Sequence, residues 1–168
     1  MQTIALMLIF YSATITALIY IFYGLRYGAM YMKIPSEALK KVLEIAQVEN
    51  KTVYDLGAGT GAFTFEAAKH GAAKVYAVEI DPFKTHALKR KAKRYCNVEV
   101  VKANLLKVDL SKADLVYCYL FGPLMQSVGY KAEKEMCRNS VLVSVEHQIK
   151  HLEPAYVDSA NKIYVYKF

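Results

Sequence analysis

The sequence predicts an α/β fold: a mostly parallel sheet, closed by a C-terminal antiparallel hairpin and preceded by a transmembrane helix. Three observations carry this expectation. An uncharged apolar run extends from Met1 to Leu25, β-like and helical periods alternate from Ser36 to His147, and two adjacent β-like runs end the chain. With 55% hydrophobic and 22% charged residues, a disordered or collagen-like chain is excluded, and 168 residues hold one ordinary domain plus a short appendage.

Arg26 is the first charged side chain. The run TIALMLIFYSATITALIYIFY would extend about 32 Å as a helix, matching a hydrocarbon core of about 30 Å. Its polar residues, Thr3, Ser12, Thr14 and Thr16, are scattered and form no polar face, unlike those of an amphipathic core helix. A cleavable signal peptide would want a basic start and a shorter run, whereas Gln2 is neutral. Residues 1–25 are therefore expected to be an uncleaved single-pass anchor and residues 26–168 the functional domain. Arg26, Lys33, Lys40 and Lys41 follow the run, which predicts that this domain is cytoplasmic. Tyr20, Tyr23, Tyr27 and Tyr31 fall where an interfacial aromatic belt would sit.

After the anchor, SEALKKVLEIAQV has the apolar recurrence of an amphipathic helix, and TVYDLG reads as a buried strand. AFTFEAAKHG reads as a helix stopped by Gly71, and KVYAVEI as the second strand. Asp81 is placed to cap a helix with Pro82 at its first position, running to about Tyr95. VEVVKA and DLVYCYL are the third and fourth strands, a helix is expected from about Pro123 to Arg138, and VLVSVEH is the fifth strand. AYVDS and KIYVYKF, joined by a tight turn, give the antiparallel pair at the sheet edge.

The segment VYDLGAGTGAF places Gly57, Gly59 and Gly61 between the first strand and its helix. Glycine weakens element interiors, so three in such a loop point to a ligand resting on the backbone and on the following helix N-terminus. In a doubly wound sheet that position is the ligand crevice. Glu79 ends the next strand and is placed to accept from a ribose diol. Gly57-x-Gly59-x-x-Ala62 also fits a relaxed dinucleotide fingerprint. Asp55, placed to meet a ligand ammonium, and Asn104, placed to hydrogen-bond adenine, favour S-adenosyl-L-methionine instead. A dinucleotide enzyme would also need a substrate domain for which little chain remains.

DLGAGTG, AVEID and KANLLKVD resemble class I S-adenosylmethionine-dependent methyltransferases with a Rossmann-like sheet. From about Tyr31 to Pro154 the chain resembles the small archaeal protein lysine methyltransferases and their mitochondrial relatives that act on inner-membrane proteins such as the ATP synthase c subunit. That family shows a Tyr-x-Pro-Thr-Pro segment before its first helix; Tyr31 and Pro35 match, while Lys33 and Ile34 replace its proline and threonine. The resemblance implies a cofactor contact at Tyr31 and a matched stretch at SVEHQIKHLEP, carried by Glu146 and Pro154. It also implies protein lysine as the acceptor, and the anchor favours membrane-associated proteins.

A lysine acceptor must lose a proton, which at pH 7 costs roughly 4 to 5 kcal/mol, and an aromatic cleft lowers that cost by partial desolvation. Tyr117 and Tyr119, turned to the same side of the fourth strand, would supply the cleft, ordinary sheet packing being the alternative for both. Glu146 would orient the ammonium, or is a strand-end surface carboxylate. Rival readings are a methyltransferase for a small molecule or lipid, and a catalytically silent cofactor-sensing module. A nucleic-acid partner is not favoured. Cys118 does not follow proline and LFGP is not the Asn/Asp-Pro-Pro-Tyr signature, so RNA rests only on the basic run KTHALKRKAKR. That run reads first as a solvated helix face, and second as a patch for anionic lipid or RNA. Cys96, Cys118 and Cys137 suggest neither disulfides nor zinc, the four histidines are scattered, and no metal is expected.

Overall fold

Two compact units, Met1–Met30 and Tyr31–Phe168, make up the chain, and the computed structural model describes residues 2–27 and 34–168. Tyr31 and Lys33, with the side chains of Tyr23, Arg26 and Tyr27, lie outside the described residues. The first unit is helix α1 (Gln2–Tyr27). Its segment Thr3–Phe22 is long and apolar enough to cross a membrane by length and composition. Its hydroxyls turn inward on the helix: Ser12, Thr14 and Thr16 donate to the carbonyls of Ile9, Phe10 and Ser12, each at 2.8 Å. Polar groups satisfied within their own helix are what apolar surroundings require.

In the second unit, the chain runs α2 (Ser36–Ala46), β1 (Thr52–Leu56), α3 (Ala62–Lys69), β2 (Lys74–Glu79), α4 (Pro82–Ala92) and β3 (Val98–Lys102). It continues through β4 (Leu115–Cys118), α5 (Gly122–Glu135), β5 (Val141–Val145), β6 (Tyr156–Asp158) and β7 (Ile163–Lys167). The seven strands form one sheet in the order β3-β2-β1-β4-β5-β7-β6. The first five are parallel; β7 runs antiparallel to β5, and β6 antiparallel to β7. This is the expected Rossmann-like arrangement, and strand order reverses between β1 and β4, where a crevice opens at their carboxyl ends.

The predicted elements shorten for identifiable reasons. DLVYCYL stops pairing at Cys118 because its partner Leu56 is the last residue of β1 before the glycine loop. The helix after β4 ends at Glu135, since Met136 turns extended and carries its side chain into the core. Between β3 and β4 there is only a 3-10 turn, Leu105–Lys107, capped by Asn104.

Buried residues of α2 and α3 pack on one face of the sheet against Val53, Val75, Leu115, Tyr117 and Val143. Leu88 of α4 joins Phe65 and Ala77 on the same side. On the other face Met125, Val128 and Ala132 of α5 cover Leu56, Val78, Val116 and Leu142. Asn97 ties the β2-to-β3 half to the end of α3, its Nδ2 donating to the carbonyls of Ala68 at 3.1 Å and Ala72 at 2.7 Å. Asp81 caps α4 as expected, accepting from the amides of Phe83 at 2.8 Å and Lys84 at 3.0 Å.

The segment after β5 lacks a helix to pair its backbone and relies on a side chain instead. The Tyr166 hydroxyl, from β7, accepts from the Ile149 amide at 2.8 Å, and both residues are fully buried. Tyr166→Phe strands that amide, so the unfolding free energy should fall by about 1–3 kcal/mol in urea denaturation followed by circular dichroism.

Candidate functional site

At the carboxyl end of β1, Asp55 is 2% exposed and its Oδ2 accepts from Thr64 twice, from the amide at 3.1 Å and from the hydroxyl at 2.5 Å. The strand end is thereby tied to the first turn of α3. Oδ1 makes no hydrogen bond among the described residues. Burial pushes the Asp55 carboxyl up to about 7, against the pull of the Thr64 bonds and with a further push from Glu79.

The three loop glycines have different reasons for lacking a side chain. A Cβ on Gly57 would lie 2.6 Å from Leu120 Cδ2, and one on Gly61 would lie 2.4 Å from Phe65 Cε2, so both positions are closed by packing. Gly59 has φ +56° and its Cβ would meet only the Gly57 carbonyl at 3.8 Å. Gly59 is thus the loop position where packing leaves room for a Cβ and only the left-handed backbone favours glycine. The amides of Thr60, Ala62 and Phe63 beside it make no hydrogen bond among the described residues, leaving donors at the start of α3.

Glu79, 5% exposed, links both connections. Its Oε2 accepts from the Gly59 amide at 2.8 Å, and its Oε1 accepts from the amides of Ile80 and Asp81, each at 2.9 Å. Two donors use both lone pairs of Oε1, whereas Oε2 retains one. A diol can take that position on Oε2 at once, and a second bond requires the Gly59 amide to let go. Asn104 follows β3, whose exit is held beside Glu79 by the Ala103 amide on the Glu79 carbonyl at 3.2 Å. Its Oδ1 accepts from the Leu106 amide at 3.0 Å, and its Nδ2 makes no hydrogen bond among the described residues.

On the other side of the crevice, Tyr117 pairs in register with Asp55. It is buried and stacked on Phe63, ring centroids 3.9 Å apart at 19°, so its ring is a wall of the core beneath the loop. Burial, reinforced by Asp55, holds its hydroxyl well above the usual phenol range. The Cys118 thiol, on the opposite face, is pushed up by the same two causes and is held neutral. Tyr119, just past β4, is half-buried on the Tyr117 side. Burial and Glu146 raise its hydroxyl while Lys162 lowers it. Glu146 follows β5, and its carboxylate Oε1 holds the Lys162 ammonium. Phe121, half-exposed, meets His147 edge-on at 5.8 Å on the same rim.

The structure thus joins Asp55, Gly59 and Glu79 through shared bonds and electrostatics, with Asn104 at the adjacent strand exit and Tyr117 beside Asp55. Tyr119 and Glu146 form a second cluster, and Tyr31 lies outside the described residues. Sequence reasoning did not single out Thr64 or Lys162. Thr64 had a signal, since the third residue of a helix after such a loop presents its amide and hydroxyl to the strand end. Lys162 had none, because only the β5–β7 register brings it to Glu146. Among the described residues there is no group of three or more His, Cys, Asp or Glu that could hold a metal.

The family model described as "ANTKMT methyltransferase domain" matches residues 55–156, from Asp55 in β1 to the first residue of β6. A protein-lysine N-methyltransferase of Saccharolobus islandicus is 31% identical over 138 residues, covering 76% of this chain and 82% of that one. A probable ribosomal RNA small subunit methyltransferase A of Methanosphaera stadtmanae is 33% identical over 113 residues, but the chain spans only 41% of its length. An RNA methyltransferase from Salinibacter ruber, solved in complex with S-adenosyl-L-homocysteine, superposes with TM-score 0.76 at 25% identity, covering 81% of this chain and 93% of that one. The residues present fit this cofactor class: a carboxylate oxygen of Asp55 that makes no hydrogen bond among the described residues, and a loop where a Cβ on Gly59 would meet only the Gly57 carbonyl.

Gly59 and Gly61 should separate binding from folding. Gly61→Ala drives a carbon into Phe65 and should destabilise the fold by about 1–3 kcal/mol. Gly59→Ala should cost about 1 kcal/mol of stability and lower S-adenosylmethionine affinity by at least tenfold in calorimetry. The glycine loop between β1 and α3, the superposition on an S-adenosyl-L-homocysteine complex and the match from Asp55 to Tyr156 converge on one conclusion: the chain belongs to the ANTKMT methyltransferase-domain family and is a class I S-adenosylmethionine-dependent methyltransferase.

Proposed function

We propose that the chain methylates lysine side chains of membrane-associated proteins. The carrying observation is the breadth of the lysine-methyltransferase similarity, which takes in 82% of that relative, against 41% for the ribosomal RNA relative. Bound S-adenosylmethionine supplies an electrophilic methyl group. In this reading Asp55 Oδ1 receives the ligand ammonium, Glu79 Oε2 the ribose, Asn104 the adenine, and the loop at Gly57, Gly59 and Gly61 lies under them. Tyr31 belongs to the same set through family resemblance.

For the acceptor, Glu146 offers a carboxylate to an ε-ammonium while Tyr119 removes part of its water. Tyr117 shapes the floor from below rather than touching the amine. In-line transfer needs position more than a catalytic nucleophile, so these contacts suffice. Proton loss from the acceptor is eased by desolvation against the ring.

Thr3–Phe22 is proposed as a single-pass anchor, with the catalytic unit on the cytoplasmic side by the positive charges that follow the run. It would confine the enzyme to acceptors at the membrane surface. RNA is the second reading, favoured by the ribosomal RNA relative and by the exposed Lys89, Arg90, Lys91, Lys93 and Arg94 on and just after α4.

Incubating the protein with radiolabelled methyl donor and native membranes should place label on protein lysine, read by mass spectrometry. Label confined to lipid or RNA overturns the proposal, as does cofactor binding without transfer. The Asp55 contact predicts a pH dependence. Below about 7 the buried carboxyl is protonated and must lose its proton to meet the ligand ammonium. Cofactor affinity should therefore rise with pH up to about 7, by as much as about tenfold per unit, and Asp55→Asn should flatten the profile in calorimetry.

A further inference from the structure

We infer that the Lys162 ammonium is a built-in occupant of the acceptor subsite, with which an incoming lysine must exchange on the Glu146 carboxylate. The inference rests on the lysine reading above. Glu146 is the first residue after β5 and Lys162 the last before β7, and the register Val145↔Ile163 carries them to the same level. The Glu146 amide donates to the Lys162 carbonyl at 2.9 Å, while the Lys162 ammonium lies on Glu146 Oε1. Both residues take left-handed backbone conformations, φ +71° for Glu146 and φ +51° for Lys162. Residues with a Cβ seldom adopt them.

The chemistry of the occupant matches that of the proposed acceptor, one primary ammonium on a four-carbon stem. Tyr119 follows β4 as Glu146 follows β5, and the two strands are paired neighbours, so both residues leave the sheet at the same edge. Glu146 Oε2 makes no hydrogen bond among the described residues, so a second ammonium can land before the first departs. The side chains of Lys162 and Glu146 are 56% and 35% exposed, so the pair is exchangeable where a buried one would be locked. Until it exchanges, Lys162 presents positive charge to any arriving lysine. Lys162 is thus a positioning and specificity residue that sets how strongly an acceptor must bind.

Methyl-lysine formation is titrated against native membranes stripped of this chain, with cofactor affinity measured alongside as the control for folding. Lys162→Asn removes the ammonium and suits the left-handed backbone. It should lower the half-saturating membrane concentration about two- to fivefold, the range of an exposed pair. Lys162→Arg should restore the competition, and in a Glu146→Gln background Lys162→Asn should have no further effect. Methyl-lysine formed by the wild type with unchanged or raised half-saturation in a cofactor-binding Lys162→Asn protein overturns the inference alone. No methyl-lysine with the wild type overturns the lysine reading, and this inference with it.

Discussion

The site depends on the Glu79 carboxylate, which gathers the amides of Gly59, Ile80 and Asp81 into one buried acceptor. These donors come from two connections, the loop after β1 and the turn after β2, and they add to the amides of Gly57 and Ala58, which already bond the Val78 carbonyl of β2. Three charge-assisted bonds in a place 5% exposed fix the glycine loop relative to the start of α4. Asp55 performs the matching task one strand away, holding the first turn of α3 through Thr64. Two acids therefore hold the connections at this end of the sheet, and each keeps acceptor capacity unused by the described residues.

Their environments differ although both are buried. Glu79 is surrounded by backbone donors, which satisfy its charge. Asp55 has one partner residue, and its burial raises it to about 7. At that value it is about half ionised near neutrality, and a positive charge beside it would hold it ionised. Tyr117 and Cys118 beside it are also pushed toward their neutral forms by burial and by Asp55.

Much of this was legible in the sequence because it rests on local rules. The alternation of periods gave the strand series, Asp81-Pro82 gave the start of α4, and the spacing of Gly57, Gly59, Gly61 and Glu79 placed the crevice. The rest depends on packing or register. That Gly57 and Gly61 are excluded from having side chains by Leu120, Phe65 and Leu88 cannot be read from their spacing. The stacking of Tyr117 on Phe63 joins two elements far apart in sequence. The Glu146–Lys162 pair requires β7 to lie beside β5, which a hairpin signal alone does not specify.

The antiparallel course of β7 has an evolutionary corollary. Because it enters the sheet where β5 leaves it, the bend between β6 and β7 is delivered to the rim of the crevice rather than to its far end. Changes in length or composition at that bend can retool what the rim admits, while the glycine loop and its two acids, on other strands, stay intact. A single sheet thereby carries the glycine loop and its acids on strands that a change at that bend does not touch.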